Sequence, residues 1–587
     1  MKPLVGKALD IVRLSEYKVP KLIISAPTGY GKTVSAPLIA SELIKKGICF
    51  SFIHSLPFRA IVRDVYLNLL INAFINYPRP KNECKGREEV LKTVRKALEE
   101  VSIGANEIAY QMGEHLSIDA ELGVFPRKEP LFDARYIVTT LDSLILNMFK
   151  IPVTEIYSYR KHYTIPWSRI YVSTLFLDEV HAIIEDFNER SRRKVFTTFK
   201  ILLEIANSAK IPTVIASATI PNKLVESICS SLGSDVILVE LGRFTEVSRH
   251  KVVVNDKDYE ASVLSIKWNT EIIDDAKVIE KVKERVSSGR RVFIACDSIT
   301  RAVGIYRELR KDLGDDIALI HSLLTVEDKE RVFSRMNQVK VLVATSIVEA
   351  GVNISFDDLI TDGGNPFSVV QRVGRICRDL NCSDVNVYVI KETSCQELLE
   401  FISKYGGRIS WKLPYDVDGI YSYRALLENI TLSEDLEIKR LLQVLIYPLL
   451  ISQYDIENIF LRSGGSLLRE LLTTIVIGGP NEIIGTRYRE LLRKSIVVDF
   501  ERVKELILRD CIIGPYLILM KDTDEIVDVK SVDPSYRDFL RRDSPGEFLR
   551  WYVRVLRSAY REYQGVDIIL TFLVDKRYYS NEGLMIW

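Results

Sequence analysis

The sequence predicts an α/β protein: two mostly parallel sheets in tandem, then a mainly helical C-terminal accessory domain. Three observations predict it. Short apolar runs at 22–24, 48–53, 137–138, 171–177 and 213–216 alternate with helical stretches, and each stops in small polar or charged residues. Strands joined by crossover helices and buried on both faces have this pattern. A second set follows at 291–296, 317–320 and 339–344. A glycine-rich turn after the first run marks the carboxyl edge of the first sheet, where α/β folds place ligands. The expected boundaries are 1–245 for the first module, 246–275 for a linker of scattered polar residues, 276–395 for the second module and 396–587 for the accessory domain.

The glycine turn is Ser25-Ala26-Pro27-Thr28-Gly29-Tyr30-Gly31-Lys32-Thr33, with a helical pattern from 34 to 45 behind it. Strand, glycine loop and helix form the context of a phosphate-binding loop. Its amides point inward at phosphate oxygens, and the helix N-terminus adds partial positive charge. Thr28, Gly29 and Gly31 shape the loop, Lys32 reaches the β- and γ-phosphates, and the Thr33 hydroxyl ligates Mg²⁺. ATP and Mg²⁺ are the expected cofactors. The first position of G-x-x-x-x-G-K-[ST] is Ala26.

Bulk properties bound the partners. A length of 587 residues suggests about three or four domains. The net charge of +1 carries no bulk basic field, so nucleic acid would need a local groove. There are eight cysteines and no C-x-x-C pair; Cys377 and Cys382, the closest, are expected to be free thiols of a reducing cytosol. No signal core and no run of about 18 apolar residues occurs, so a cytoplasmic chain without a membrane partner is expected.

Each sheet edge offers candidates. Arg59, in His54-Ser55-Leu56-Pro57-Phe58-Arg59-Ala60, suits a phosphate of a nucleic-acid strand, or an ordinary surface. The charges at 80–100 read as a solvated helix. Thr139 and Thr140 can bond phosphates or cap the helix that follows, and Thr345 stands at an equivalent edge of the second module. Asp178-Glu179-Val180-His181 closes an apolar strand. The Asp can hold Mg²⁺, the Glu can orient and deprotonate the attacking water, and His181 can couple the site to domain movement. Ser217-Ala218-Thr219 suits a hydrogen-bonded link, or a polar strand end. Gln371, Arg375 and Arg378 fall at i, i+4 and i+7, one face of an expected helix, where arginines can stabilise a transferred phosphoryl group. Gly374 in mid-helix costs about 1 kcal/mol and implies a packing or functional reason.

The ordered set A-x-T-G-x-G-K-T, L-P-x-R-A, T-T-x-D-x-L, D-E-V-H, S-A-T, V-A-T-x-x-x-E-x-G-V-x-x-x-F-D and Q-R-x-G-R-x-x-R resembles the superfamily 2 helicases across residues 20–390. Three features narrow this to the helicase of type I CRISPR interference complexes: Asp178-Glu179-Val180-His181-Ala182, Phe356-Asp357-Asp358 shortly before Gln371, and Tyr578-Tyr579-Ser580-Asn581-Glu582-Gly583-Leu584. The resemblance implies two RecA-like domains, catalytic roles for Lys32, Asp178, Glu179, Gln371, Arg375 and Arg378, and 3′-to-5′ unwinding of DNA. It also implies a CRISPR surveillance complex of the Cascade kind as partner. Asn353 stands where relatives often have Asp, and no Gln precedes Gln111 to read adenine.

Many members of that family carry an HD nuclease domain. Here about two dozen residues precede the phosphate loop, and none of the six histidines is followed by Asp. The expectation is the split arrangement of archaeal systems, with a separate HD nuclease subunit. In the accessory domain, 434–447 reads as a helix with Ser433 as cap and Pro448 as stop, and 500–510 as helical or mixed. Ser544-Pro545-Gly546-Glu547 is a capping box. The helix it opens carries Arg550, Arg554, Arg557 and Arg561 in one stripe with Trp551, Tyr552 and Tyr560 between. That pattern fits single-stranded nucleic acid, with Arg554 and Arg557 on phosphates, or a solvated face with aromatics in the core. The expected function is an ATP-dependent translocase on single-stranded DNA or RNA. A DNA-repair or RNA helicase, a nucleotide-switched scaffold and a nuclease are the alternatives.

Overall fold

A computed structural model describes all residues except 16–18, 76–85, 113–125, 152–161, 184–188, 347–354, 447–457, 460, 464–471, 522–524, 533–544, 564 and 586–587. The strands in chain order are β1 (Lys21–Ser25), β2 (Ser51–Leu56), β3 (Ile108–Gln111), β4 (Tyr136–Thr140), β5 (Ser173–Asp178), β6 (Thr213–Ser217), β7 (Ile237–Leu241), β8 (Glu246–Val247), β9 (Lys251–Val254), β10 (Lys267–Ile273), β11 (Val292–Ala295), β12 (Ile317–Ile320), β13 (Val341–Ala344), β14 (Asp358–Thr361) and β15 (Asp384–Ile390). Two compact units divide the chain, the first made of 1–149, 162–295 and 348–446, the second of 150–161, 296–347 and 447–587.

The first unit holds a sheet in the order β3-β4-β2-β5-β6-β1-β7-β9-β8, parallel except for the β8–β9 pair. Its central strands are buried along their whole length. That is why they read as continuous apolar runs and not as alternating ones. The helix Pro3–Leu14 buries Leu4, Val5, Ala8, Leu9 and Val12, one amphipathic face, against the same core. In the helix Gly86–Glu99, Leu91, Val94 and Leu98 are buried, and Glu88, Glu89, Lys92, Arg95, Lys96 and Glu99 face solvent.

The linker expected at 246–275 is structured. β8 and β9 extend the first sheet, and β10 pairs in parallel with β15 over seven residues. Between them the helix Lys257–Leu264 is capped by Asp256, which accepts from Tyr259 N at 3.1 Å. The run Val252-Val253-Val254 is too short to read as a strand until β7 supplies a partner. This unit's share of the second module is β10-β15-β14-β11, all parallel. The helix Leu436–Ile446 confirms the expected element, but its cap is Asp435, which accepts from Glu437 N and Ile438 N, in place of Ser433. Pro448 lies outside the described residues, as do Asn353 and Ser544.

The second unit contains the parallel pair β12–β13 and a five-stranded sheet of β18 (Leu472–Ile477), β19 (Ser495–Asp499), β20 (Ile512–Met520), β21 (Ile526–Ser531) and β22 (Asp567–Val574), in the order β19-β18-β22-β20-β21. The short pair β16–β17, Ile409–Ser410 with Tyr421–Ser422, belongs to the first unit. The accessory domain is therefore not simply helical: the helices Phe500–Leu508 and Pro545–Glu562 bury Val503, Leu506, Trp551 and Leu556 in a core shared with β18 and β22. Capping signals made the helices legible. Gly514 and Pro515 interrupt β20, so the longest strand does not read as one. A final hairpin, β23 (Tyr579–Ser580) with β24 (Gly583–Leu584), packs against the loop after β12. No helix among the described residues is long and apolar enough to cross a membrane.

Candidate nucleotide site

The phosphate loop leaves β1 at Ser25 and is fixed to the neighbouring strand: Ala26 N donates to Ser217 O at 3.2 Å, and Ser25 Oγ accepts from Ile220 N at 3.2 Å. Gly31, at φ 101°, occupies the left-handed position that opens the helix Lys32–Lys45. Lys32 is buried, and its Nζ donates to Ala26 O at 2.7 Å and Pro27 O at 3.1 Å. Burial pushes its pKa down, against the pull of Glu179 and Asp178. Neutral carbonyls do not balance a buried ammonium, whereas a phosphate at this loop would.

Tyr30 ties the loop to two helices that the sequence did not connect with it. Its hydroxyl donates to Asp256 Oδ2 at 2.6 Å and accepts from Leu4 N at 3.5 Å, and its ring meets Tyr259 edge-on at 5.2 Å. Burial and Asp256 together hold the phenol protonated, its pKa raised well beyond the ordinary range.

At the end of β5 the two carboxylates differ. Asp178 is buried, with Oδ2 3.2 Å from His54 Nε2 and Oδ1 accepting from Glu179 N at 2.9 Å; Tyr136 OH lies 3.2 Å from His54 Nδ1. Glu179 turns into the left-handed region at φ 54°, an uncommon conformation for a residue with a side chain. Its Oε2 stands 3.3 Å from His181 Nδ1 yet makes no hydrogen bond. The reason lies in the imidazole. Burial lowers the pKa of His181, and its Nδ1 faces Ser217 Oγ at 2.9 Å and Ala218 N at 3.4 Å, so this nitrogen accepts and cannot donate to Glu179. A buried carboxylate oxygen is left without a donor, and the Glu179 charge acts on Lys32 of the phosphate loop. Thr219 continues the edge by hydrogen bonding Tyr423 OH.

The second module reaches the loop through a turn. The helix Pro366–Val373, capped by Asn365, ends before Gly374, so Gln371, Arg375 and Arg378 do not share a helical face as expected. They converge because the chain folds back after Val373. Gln371 Oε1 accepts from Thr28 Oγ1 at 3.1 Å, and a Cβ added at Gly29 would lie 3.6 Å from Arg378 Cγ. Gly374 has a packing reason: a Cβ there would come within 2.9 Å of Gln371 O and 3.1 Å of Thr28 Cβ. Arg375 is buried. Arg372, between them, turns inward to Thr361 Oγ1 at 3.0 Å and Asp362 O at 2.8 Å. Cys377 and Cys382, expected as free thiols, are joined in a disulfide, because the turn brings their Cα atoms to 6.0 Å.

Of the nucleic-acid candidates, Arg59 opens the helix Arg59–Arg63 at the end of β2 and is half-buried. Thr139 Oγ1 donates to Gln111 O at 2.7 Å, and Thr140 caps the helix Leu141–Met148, accepting from Ser143 N at 3.3 Å. Both hydroxyls thus have protein partners, and the capping alternative holds for Thr140. In the second unit Thr345 is buried after β13. On the helix Pro545–Glu562, Arg550, Arg554 and Arg561 are exposed and Arg557 is half-buried. Trp551 lies in the core, and Tyr552 and Tyr560 direct their hydroxyls to Leu570 O at 3.4 Å and Ile568 O at 3.5 Å. The aromatics are committed to packing and are not a stacking platform.

Known proteins share parts of this sequence and fold. Residues 288–381 match the family described as CRISPR-associated nuclease/helicase Cas3, C-terminal. A CRISPR-associated helicase Cas3 of Thermoproteus tenax is 25% identical over 453 residues, 73% of this chain and 67% of the relative. The chain is related to the Cas3-type superfamily 2 helicases. The CRISPR-associated nuclease/helicase Cas3 of Methanothermobacter thermautotrophicus is 23% identical over 402 residues, 65% of this chain but only 42% of the relative's length. The crystal structure of T. fusca Cas3 aligns with a TM-score of 0.54 at 16% identity, covering 85% of this chain and 64% of that one. The Cas3-type likeness thus extends to the α/β fold with RecA-like parallel sheets.

Proposed function

We propose that this chain is an ATP-dependent helicase or translocase on single-stranded nucleic acid, acting 3′ to 5′ on DNA in CRISPR interference. The observation that supports this reading is the junction of Thr28 with Gln371 and of Gly29 with Arg378, beside a Lys32 on which the charges of Glu179, Asp178, Arg378 and Arg375 act. Lys32 holds the β- and γ-phosphates, and Arg378 and Arg375 reach the transferred group from the second module. Glu179, with an open carboxylate oxygen, accepts the proton of the attacking water. Asp178 and the Thr33 hydroxyl are hard oxygen donors that suit Mg²⁺, which needs few protein ligands beside phosphate and water. That ion, when bound, neutralises charge on the phosphates. His54 orients Asp178 from beneath. The partners proposed are single-stranded DNA, a surveillance complex of the Cascade kind and a separate HD nuclease. For a separate nuclease speaks the commitment of His54, His181 and His321 to contacts within the fold.

The test is turnover and strand displacement. Lys32→Ala and Asp178→Ala should abolish ATP hydrolysis, and Glu179→Gln should bind ATP without hydrolysing it. Stimulation by single-stranded DNA over RNA separates the DNA reading from an RNA helicase. Near wild-type turnover in Lys32→Ala overturns the nucleotide site. Metal-dependent degradation of single-stranded DNA by purified chain, persisting in Lys32→Ala, overturns the separate nuclease.

A further inference from the structure

Lys412 is a buried lysine that neither the motifs nor the mechanism uses. Its place is rigid. Trp411 before it donates its indole N–H to Thr270 Oγ1 at 3.0 Å, Leu413 after it lies in the core of the first module, and Lys412 O accepts from Tyr259 OH at 3.2 Å. Lys412 as a whole is 3% exposed. Its Nζ has one hydrogen bond, a long one of 3.4 Å to Gly374 O, and among the described residues no carboxylate lies within ion-pair distance. Gly374 is the residue that packs on Thr28 of the phosphate loop. The charges acting on Lys412 are Arg378, Arg375 and Lys2, all repulsive, and Asp379, attractive.

A buried ammonium among arginines, without a counter-ion, is an expensive arrangement that anions relieve. We propose that Lys412 is a further phosphate-recognising residue of the nucleotide site, a buried cation whose counter-ion is the nucleotide itself. The inference rests on the nucleotide-site reading above. Lys2 sits closer to Tyr30, over its ring at 4.5 Å, and does not share the Gly374 contact.

The proposal has a protonic consequence. Burial first, then Arg378 and Arg375, bring the Lys412 pKa down to about 7. A triphosphate would raise it again. A base whose pKa rises on binding contributes affinity that is complete below its free value and is lost as pH rises through its bound value. At pH 8, where the free lysine is mostly neutral, binding should therefore take up close to one proton.

The experiment is isothermal titration of the full chain with ADP and with a non-hydrolysable ATP analogue at pH 8, in buffers of different ionisation enthalpy. Wild type should take up about one proton per nucleotide. Lys412→Met, close in length and apolar, should lose the uptake and bind about tenfold more weakly. Lys412→Arg, charged throughout, should lose the uptake but retain affinity. Thermal unfolding of the free variants reports any structural effect separately. Unchanged uptake in Lys412→Met, or affinity within twofold of wild type, overturns the proposal. Lys32→Ala separates the two readings: if it leaves nucleotide binding intact, the site itself is misassigned, and if it weakens binding while Lys412→Met does not, only the role of Lys412 falls.

Discussion

Two buried charged clusters lie in the first unit, and they are built on opposite terms. Around Asp358 every charge is answered: the carboxylate accepts from Arg285 Nε at 2.7 Å, Arg290 Nη2 at 2.9 Å and Asn386 Nδ2 at 2.8 Å. Burial alone would raise its pKa, but these donors win and hold it below the usual carboxylate range. Around the phosphate loop the account stays open. Lys32 and Lys412 rest on carbonyls, and a Glu179 oxygen has no donor. Both clusters set cations beside buried carboxylates, but Lys32 and Lys412 lie deeper than Arg285 and Arg290. The difference teaches that a buried charge answered by its own chain serves stability, whereas a buried charge left on carbonyls makes a site a candidate for a ligand.

The largest expected effect falls on the open cluster. Arg378→Ala should lower ATP turnover on the order of 10³-fold, as for other arginine fingers, with nucleotide binding largely kept. Turnover within a few-fold of wild type in steady-state kinetics would end the finger assignment. The closed cluster should answer in stability. Asp358→Ala strands Arg285 and leaves Arg290 with Asp384 as its remaining carboxylate, and should cost about 3 kcal/mol, the low end for a broken buried ion pair, because Arg285 and Arg290 keep 18% and 20% of their side chains exposed. A denaturation midpoint indistinguishable from wild type would show that closure contributes nothing.

A neutral cluster sharpens the contrast. In the second unit His321 donates from Nε2 to Glu582 O at 2.9 Å and accepts at Nδ1 from Leu323 N at 3.2 Å, an arrangement only the neutral ring can make. Burial lowers its pKa from 6.5 to about 4. Since the folded value lies below the unfolded one, this contribution is complete above pH 6.5. It is lost at up to about 1.4 kcal/mol per pH unit as pH falls toward 4. Hydrogen exchange at 579–584 should accelerate between pH 7 and pH 5, relative to the intrinsic rate, by more in wild type than in His321→Gln. Equal pH dependence in the two would remove His321 as the cause. The smallest effect belongs to charges nearer the surface, Arg554 exposed and Arg557 half-buried. Replacing Arg554 and Arg557 should flatten the salt dependence of single-strand binding by about 1.4 in log–log slope, if both touch phosphates. An unchanged slope assigns them to a solvated face.

The sequence made legible what is local. The phosphate loop, the carboxylate pair after β5 and the parallel strands all show as apolar runs ending in particular residues. What it hid is contact across distance. His54 lies under Asp178 from 124 positions away, and Tyr30 meets Asp256 from 226. Nothing in Trp411-Lys412-Leu413 signals a cation beside the loop, because its meaning comes from Gly374. The spacing of Gln371, Arg375 and Arg378 fits a helix as well as it fits a turn, and only the packing of Gly374 on Thr28 chooses. β18 and β22, parallel neighbours with about 90 residues between them, were obscured for the same reason.

Gly374 also sets a mechanical tolerance. With 2.9 Å and 3.1 Å to the nearest atoms for a Cβ that is not there, the joint between turn and loop has no clearance. A single methyl group would act as a shim, holding Arg378 a few tenths of an ångström off Gly29, and an alanine at this position would measure how much play the joint tolerates.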